Sequence, residues 1–373
     1  MEIATIFREN IYEYSKKYSN LYIPANFNAV NSIIKCRTSE LGGEVYYCPN
    51  CEKEHYVYHS CKNRHCPKCG SEDSYKWLEK QLEKLLPVDY FLVTFTLPEE
   101  LRFICSNNKK LFYNALFSAS SEALTQMMTS RIHAKGKTGF TGVLHTWTRD
   151  MLYHPHIHYI VPGGVFDVEN NEWHKSSSKF LIPVLALSKI FRAKYRDYLE
   201  KQNKELFNLI DQDVWKREFV THSQGVGKGD TALTYLSKYV FKTAITNKRI
   251  VAYDKKQVTI SYKPSGSDQQ KYKKFEVLEF IRRFLDHVLP EGLKRIRSFG
   301  FLNPRSAKTF EKLKKHFEDK DQPIYLVKSE NPVYHKRERN ICPHCDFTMN
   351  MIKEIPRRSR SPSSKSLFSL LLG

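Results

Sequence analysis

Long apolar runs, acidic residues and phosphate-loop glycines are all scarce in this 373-residue chain. The longest apolar stretches are Phe180 to Leu187, broken by Pro183, and Leu367 to Leu372. Both fall well below the roughly 18 residues that a membrane-spanning helix needs, so no membrane partner is expected. Met1-Glu2-Ile3-Ala4-Thr5 lacks a basic segment followed by an apolar one, which leaves no secretory signal and favours the cytoplasm. Gly225-Val-Gly-Lys228-Gly-Asp resembles a phosphate loop only at first sight. That motif needs glycine where His222 stands and Ser or Thr where Gly229 stands, so no ATP-driven step is expected. No repeat of solenoid period is present. Strand and helix patterns do not alternate regularly, which favours an α+β fold with a largely antiparallel sheet. Acidic residues number 40 against 60 Lys and Arg, a net charge of +20, which points to a polyanionic partner, nucleic acid ahead of an anionic membrane surface.

Cysteine, by contrast, is concentrated. Six of the nine cysteines fall between Cys36 and Cys69, and in a reducing compartment such clustering reads as metal binding rather than disulfide formation. Cys48-Pro-Asn-Cys51 and Cys66-Pro-Lys-Cys69 are two knuckles whose four thiolates can close a tetrahedral zinc site. With no position left for water, such an ion is structural. Cys36, Cys61 and His65, with His55 and His59 nearby, offer donors for a second ion. Cys342-Pro-His-Cys345 stands alone near the C-terminus as a weak metal signal, with His335 or His344 as helpers. Arg64 and Lys68, interleaved with tyrosines, suit a DNA-facing surface.

His154-Pro-His156-Ile-His158 carries the chemistry. Alternation along a strand puts the three imidazoles on one face and Ile157, Tyr159 and Val161 on the other, facing a core, so that two imidazoles at i and i+2 share one ion. No Asp-His follows, as a metallo-β-lactamase-type site requires, and no zinc-deaminase arrangement surrounds the strand. Downstream, Tyr235 and Tyr239 stand at i and i+4, on one face of an expected helix at about 231–244.

Several segments together are similar to one known family. They are Cys36-Arg-Thr-Ser-Glu-Leu-Gly-Gly43, Ser60-Cys-Lys-Asn-Arg-His-Cys-Pro-Lys-Cys69, Val143-Leu-His-Thr-Trp147, the histidine strand, Tyr235-Leu-Ser-Lys-Tyr239 and Phe280-Ile-Arg-Arg-Phe-Leu-Asp-His-Val-Leu-Pro290. Over roughly residues 10–320 the chain resembles the HUH rolling-circle transposases of insertion sequences, of the two-tyrosine type with an N-terminal zinc-binding domain. The resemblance implies an α+β fold: a ferredoxin- or RRM-like antiparallel-sheet HUH nuclease core with an N-terminal zinc-binding module and helical additions. It implies residues 1–85 as the zinc-binding domain, 86–320 as the catalytic domain and 321–373 as a basic, partly disordered tail. His156 and His158 would hold Mg²⁺ or Mn²⁺, with Asp150 as third ligand and His145 and His154 behind it. Tyr235 and Tyr239 would be the nucleophiles. Lys238 and Lys242, with Arg64 and Lys68, would contact single-stranded DNA at the element's ends, with one or two structural Zn²⁺ alongside, in a bacterial cytoplasm at the nucleoid. Two other readings fit parts of the pattern, a non-catalytic zinc-ribbon DNA-binding regulator and a plasmid relaxase or replication initiator.

Overall fold

The computed structural model describes residues 1–18, 23–228, 233–234, 243–264, 266–320 and 339–358, with the side chains of 70–75 excepted. Its helices are α1 (Ile3–Lys17), α2 (Pro24–Lys35), α3 (Gly70–Leu82), α4 (Arg102–Asn107), α5 (Lys109–Arg131), α6 (Val184–Gln202), α7 (Lys204–Asn208), α8 (Val277–Asp286) and α9 (Ala307–Glu318). Its strands are β1 (Gly43–Cys48), β2 (Lys53–Tyr58), β3 (Tyr90–Thr96), β4 (Gly139–Trp147), β5 (Tyr153–Pro162), β6 (Gly164–Asp167), β7 (Glu172–Lys175), β8 (Thr221–Gly225), β9 (Ile250–Tyr253), β10 (Gln257–Tyr262), β11 (Lys271–Glu276), β12 (Ile296–Gly300) and β13 (Asn350–Ile355). None of the described helices is long and apolar enough to cross a membrane.

The central sheet has five antiparallel strands in the order β12-β4-β5-β3-β8, with the histidine strand in the middle. Register divides its residues between two faces. Thr94 lies opposite His158 and Thr96 opposite His156 on one side, while His145 on β4 lies opposite His156 on the other. Directly opposed residues share a face, so Thr94, Thr96, His145, His156 and His158 form one surface. The alternate residues Phe91, Val93, Phe95, Leu144, Ile157, Tyr159 and Val161 are buried in the main core. That core is closed by the apolar sides of α5 (Phe112, Leu116) and α6 (Leu187, Phe191, Tyr195). Burying each of these large side chains contributes about 1.5–3 kcal/mol. At its far end the histidine face is covered as well, where Tyr90 and Ile160 pack with Leu78 and Leu82 of α3 and with Leu233.

A second core joins distant parts of the chain. Ile3, Phe7 and Tyr14 of α1 and Ile33 and Cys36 at the end of α2 pack with Val258 and Ile260 of β10 and with Phe280, Ile281 and Phe284 of α8. The expected boundary near residue 85 therefore does not separate two cores. A larger departure concerns the C-terminal region. Residues 350–355, expected within a tail, pair antiparallel with β1 and complete a three-stranded sheet β13-β1-β2. The strand was not legible because its solvent-facing side chains leave no apolar alternation to read. Residues 359–373, the basic part of the expected tail, lie outside the described residues.

His287, just past α8, is buried, with its Nδ1 3.4 Å from Thr146 Oγ1. Burial first, and then the nearby charge of Lys109, holds its pKa down at about 3. An unfolded histidine titrates near about 6.5, so the unfolded chain takes up this proton first. The stability linked to the neutral ring is complete above about pH 6.5 and is lost as pH falls toward 3, by up to about 1.4 kcal/mol per unit for this one group. In urea titrations from about pH 6 to about pH 4, the wild-type stability should therefore fall more steeply than that of His287→Gln, by close to one bound proton.

Candidate active site and metal centres

The β4–β5 hairpin builds the site. Imidazole nitrogens of His145, His156 and His158 lie within 4.8 Å of one another. The rings of His156 and His158 are 4.8 Å apart, and that of His145 is 5.3 and 5.0 Å from theirs. His156 Nδ1 lies 2.7 Å from the carbonyl oxygen of His154. A carbonyl only accepts, so Nδ1 carries the proton and Nε2 presents its lone pair. His158 Nδ1 is 2.8 Å from Thr94 Oγ1, a contact that holds this ring in place. Behind the group, Trp147 stacks on His145 at 5.7 Å and receives the Arg295 guanidinium 4.9 Å from its centre.

Asp150, expected as third ligand, is elsewhere. Its carboxylate accepts from Lys273 Nζ at 2.8 Å and from Thr148 Oγ1 at 2.6 Å. The register shift after His145 and the buried side chain of Met151, packed into the second core with φ +66°, fix the hairpin tip so that Asp150 faces β11. The third donor of the group is His145. His154 shares the face, its ring 5.1 Å from that of His156, but lies outside the three-nitrogen group.

The cysteines fall into two groups of four, and neither is the expected one. Cys36, Cys61, Cys66 and Cys69 form one, and Cys48, Cys51, Cys342 and Cys345 the other. The expected pairing of Cys48 and Cys51 with Cys66 and Cys69 is thereby corrected. Antiparallel pairing of β13 with β1 brings the C-terminal knuckle, 291 positions away, beside the first one. His65 does not join the thiols. It is half-buried, and its Nε2 accepts from the backbone N–H of Leu289 at 3.3 Å. Arg64 is likewise turned inward, its guanidinium donating to the carbonyls of Leu293 (2.7 Å) and Pro290 (3.0 Å). Lys68 pairs with Glu2 at 2.7 Å. These three residues fasten the cysteine loop to the rest of the chain, and the Arg64 guanidinium is spent on backbone carbonyls. Tyr235, Tyr239, Lys238 and Lys242 lie outside the described residues.

Two family models match the chain, one described as "Transposase zinc-binding domain" over residues 6–97 and one as "Putative transposase" over residues 139–309. "Putative transposase y4qJ" of Sinorhizobium fredii is 36% identical over 322 residues, spanning 82% of this chain and 81% of the relative. The chain belongs to the IS91-type transposase family. "Transposase for insertion sequence element IS801" of Pseudomonas savastanoi pv. phaseolicola is 26% identical over 313 residues, 76% of this chain and 73% of the relative. No solved structure matches.

The charge state of the transposase's histidines suits a cation. Burial first, and then neighbouring His158, holds His156 well below the ordinary imidazole range, and burial with His154 brings His158 down to about 4. Both are neutral near pH 7 and available as ligands. The cysteine groups also fit the zinc that the family's N-terminal domain is named for. Their closest Sγ separations are 3.4 Å (Cys36 to Cys69) and 3.6 Å (Cys48 to Cys345), near the roughly 3.8 Å edge of a tetrahedron with 2.3 Å Zn–S bonds. None of the nine cysteines is in a disulfide. The thiols also divide in acidity. A hydrogen bond from Cys61 helps bring Cys36 down to about 7, one from Asn50 brings Cys345 down to about 6, and a bond to Cys345 pushes Cys51 up to about 12. Thiols this close share protons, and a dication removes that competition by holding all four as thiolates.

Sequence reasoning missed Thr94, and placed His145 behind Asp150. The Thr94-Phe95-Thr96 alternation, polar on the side opposite a core phenylalanine, is the signal that finds the former. For His145, only the register of β4 against β5 decides.

Proposed function

We propose that this transposase nicks and rejoins single-stranded DNA at the ends of an insertion sequence, using Tyr235 and Tyr239 as nucleophiles and His145, His156 and His158 to hold a divalent cation. One observation carries the reading: three imidazoles converge on one face of a sheet whose central strand bears two of them. The middle position of β5 in a five-stranded antiparallel sheet supports a ferredoxin-like HUH core. The described flanks of the tyrosine segment are anchored at the two ends of this face. Leu233 packs with Ile160, two residues beyond His158, and Thr243 and Ala244 line a small cavity with Trp147, two residues beyond His145.

Mg²⁺ or Mn²⁺ bound there would draw charge from a non-bridging oxygen of the scissile phosphate. The remaining steps belong to the chain. His154 and Thr94 orient the imidazoles, so that no reorganisation is needed when charge builds at phosphorus. A tyrosine Oη attacks, the Oη–P bond forms, the P–O3′ bond breaks, and the 3′ oxygen takes a proton to leave as a hydroxyl. Since a phenol's ordinary pKa is about 10, its proton must depart to a base or to solvent as the bond forms. The phosphotyrosyl ester retains the phosphodiester's energy, so attack by a 3′-hydroxyl reseals the strand without ATP. Two tyrosines permit two covalent ends at once, as strand transfer requires. The basic surplus supplies phosphate contacts with a steep salt dependence.

The test is a denaturing gel of the protein incubated with labelled single strands spanning the element's ends and Mn²⁺. A covalent protein–DNA band is expected. It should fall by about 10³-fold or more in His156→Ala, and be reduced or lost in Tyr235→Phe and Tyr239→Phe. Binding without any adduct, with either ion, would instead support the regulator.

A further inference from the structure

A fourth set of donors lies away from the sheet's histidine face. His133 follows α5, Asp167 ends β6, and His174 lies on β7; one nitrogen or oxygen from each falls within 4.8 Å of the others. The β6–β7 ribbon explains the convergence. Asp167 is paired with Glu172 and Val165 with His174, so Asp167, Glu172 and His174 share one face of the ribbon. His133 is laid across them, its ring stacked on that of His174 at 4.0 Å and 11°.

We propose that His133, Asp167 and His174 form a binding site for a transition-metal dication such as Zn²⁺, with Glu172 in reach as a fourth ligand. Each donor is prepared for it. Asp167 is 1% exposed. Its Oδ1 accepts the backbone N–H groups of Glu169 and Asn170, and its Oδ2 faces His133 Nε2 at 3.0 Å with Asn170 Nδ2 beside it. A nitrogen and an oxygen roughly 3 Å apart have the spacing of two neighbouring ligands on an ion with bonds of about 2.1 Å. An ion there takes the place of the proton between His133 and Asp167. His174 Nε2 is buried with no hydrogen-bond partner among the described residues, and Glu172 Oε2 lies 3.6 Å from it. That orphaned donor is what an ion would satisfy. Two imidazoles and one or two carboxylates suit Zn²⁺, Co²⁺ or Ni²⁺ better than Mg²⁺, which prefers an all-oxygen shell. His174 also lines a cleft of about 430 Å³ with Arg131, Trp173, Lys175 and Phe180. The ion would tie the ribbon to the end of α5, independently of the nicking chemistry.

The full-length protein carrying His156→Ala, which weakens the sheet's histidine site, is loaded with Zn²⁺ and its metal counted by mass spectrometry under native conditions. Three ions per chain are expected, two on the cysteine groups and one here, falling to two when His174→Gln is added. Two ions before that substitution, or three after it, would overturn the proposal. A second measurement avoids reliance on that variant's folding. The His156→Ala protein with its cysteine groups filled by zinc is titrated with Co²⁺, and one equivalent should bind with visible d–d absorption and no thiolate-to-cobalt charge-transfer band. No such binding would overturn the site equally.

Discussion

Replacing His145 by alanine should slow covalent adduct formation by at least about 10²-fold, equivalent to about 2.7 kcal/mol of transition-state stabilisation, whereas Asp150→Ala should leave the rate within about threefold. The contrast follows from geometry. His145 stands directly across the β4–β5 ladder from His156 and contributes a nitrogen to the three-donor group. With it gone, the proposed cation would lose a third of its protein ligands, and losing even a supporting partner of a metal site typically costs about 10–100-fold. Asp150, in contrast, is committed to Lys273 and Thr148. Burial pulls its carboxyl toward the neutral form, but the contacts with Lys273 and Thr148 together outweigh this and keep it below the ordinary range. Its removal frees Lys273 and loosens the hairpin tip without touching the imidazoles. Single-turnover gels across a Mn²⁺ titration measure both variants. In His145→Ala, higher Mn²⁺ should restore part of the rate, the signature of a weakened cation site rather than a misfolded chain. An Asp150→Ala defect as deep as that of His145→Ala would sink the assignment.

The second large effect is expected at the far end of the chain. Cys342→Ser combined with Cys345→Ser should remove one zinc per molecule and detach β13 from β1. Structural zinc contributes folding free energy outright, with apparent binding values of about 10–16 kcal/mol in small zinc-binding peptides. Here the neighbouring strand limits the loss to several kcal/mol, because β1 and β2 still pair with each other over Gly43–Cys48, although Tyr46 loses its packing against Cys342 and Met349. Two readouts check it: zinc content, falling by one ion, and amide hydrogen exchange, rising through Gly43–Cys48 and Asn350–Ile355. If zinc content is unchanged, Cys48 and Cys51 find their partners elsewhere, as a pairing with Cys66 and Cys69 would provide. Cys66→Ser should remove the other ion and, through Arg64 and His65, loosen the Leu289–Leu293 segment that leads to Arg295 beneath Trp147.

Some of the site was legible before any coordinates. The His-Pro-His-Ile-His pattern placed alternating side chains on opposite faces, and the structure puts Ile157 and Tyr159 in the core and the imidazoles on the other side. Period-two alternation is a local property, so one strand's sequence suffices to sort its own residues. The choice between His145 and Asp150 depended on a second strand's register and on a bulge, to which the β5 sequence is indifferent. Arg64 illustrates the same limit. A basic residue among tyrosines fits a DNA-facing surface, yet the two carbonyls that bind its guanidinium come from Pro290 and Leu293, more than 220 residues away.

The cysteines show most directly what each level decides. Spacing alone established three knuckles, since two thiolates three positions apart can grip one ion from a single turn. Which knuckles share an ion was a different matter, because a CxxC pair is chemically the same whichever partner closes its tetrahedron. Strand pairing between β1 and β13 made that choice, joining residues 48 and 51 to 342 and 345. By itself the sequence determined the mixed α+β character, the basic surplus, the histidine strand and the presence of metal-binding cysteines, all of which follow from composition and short-range periodicity. Only the tertiary structure decided which imidazole completes the histidine group, which cysteines belong together and which basic residues are spent inside the protein. Those outcomes depend on contacts between segments hundreds of residues apart, whose energies no local pattern encodes.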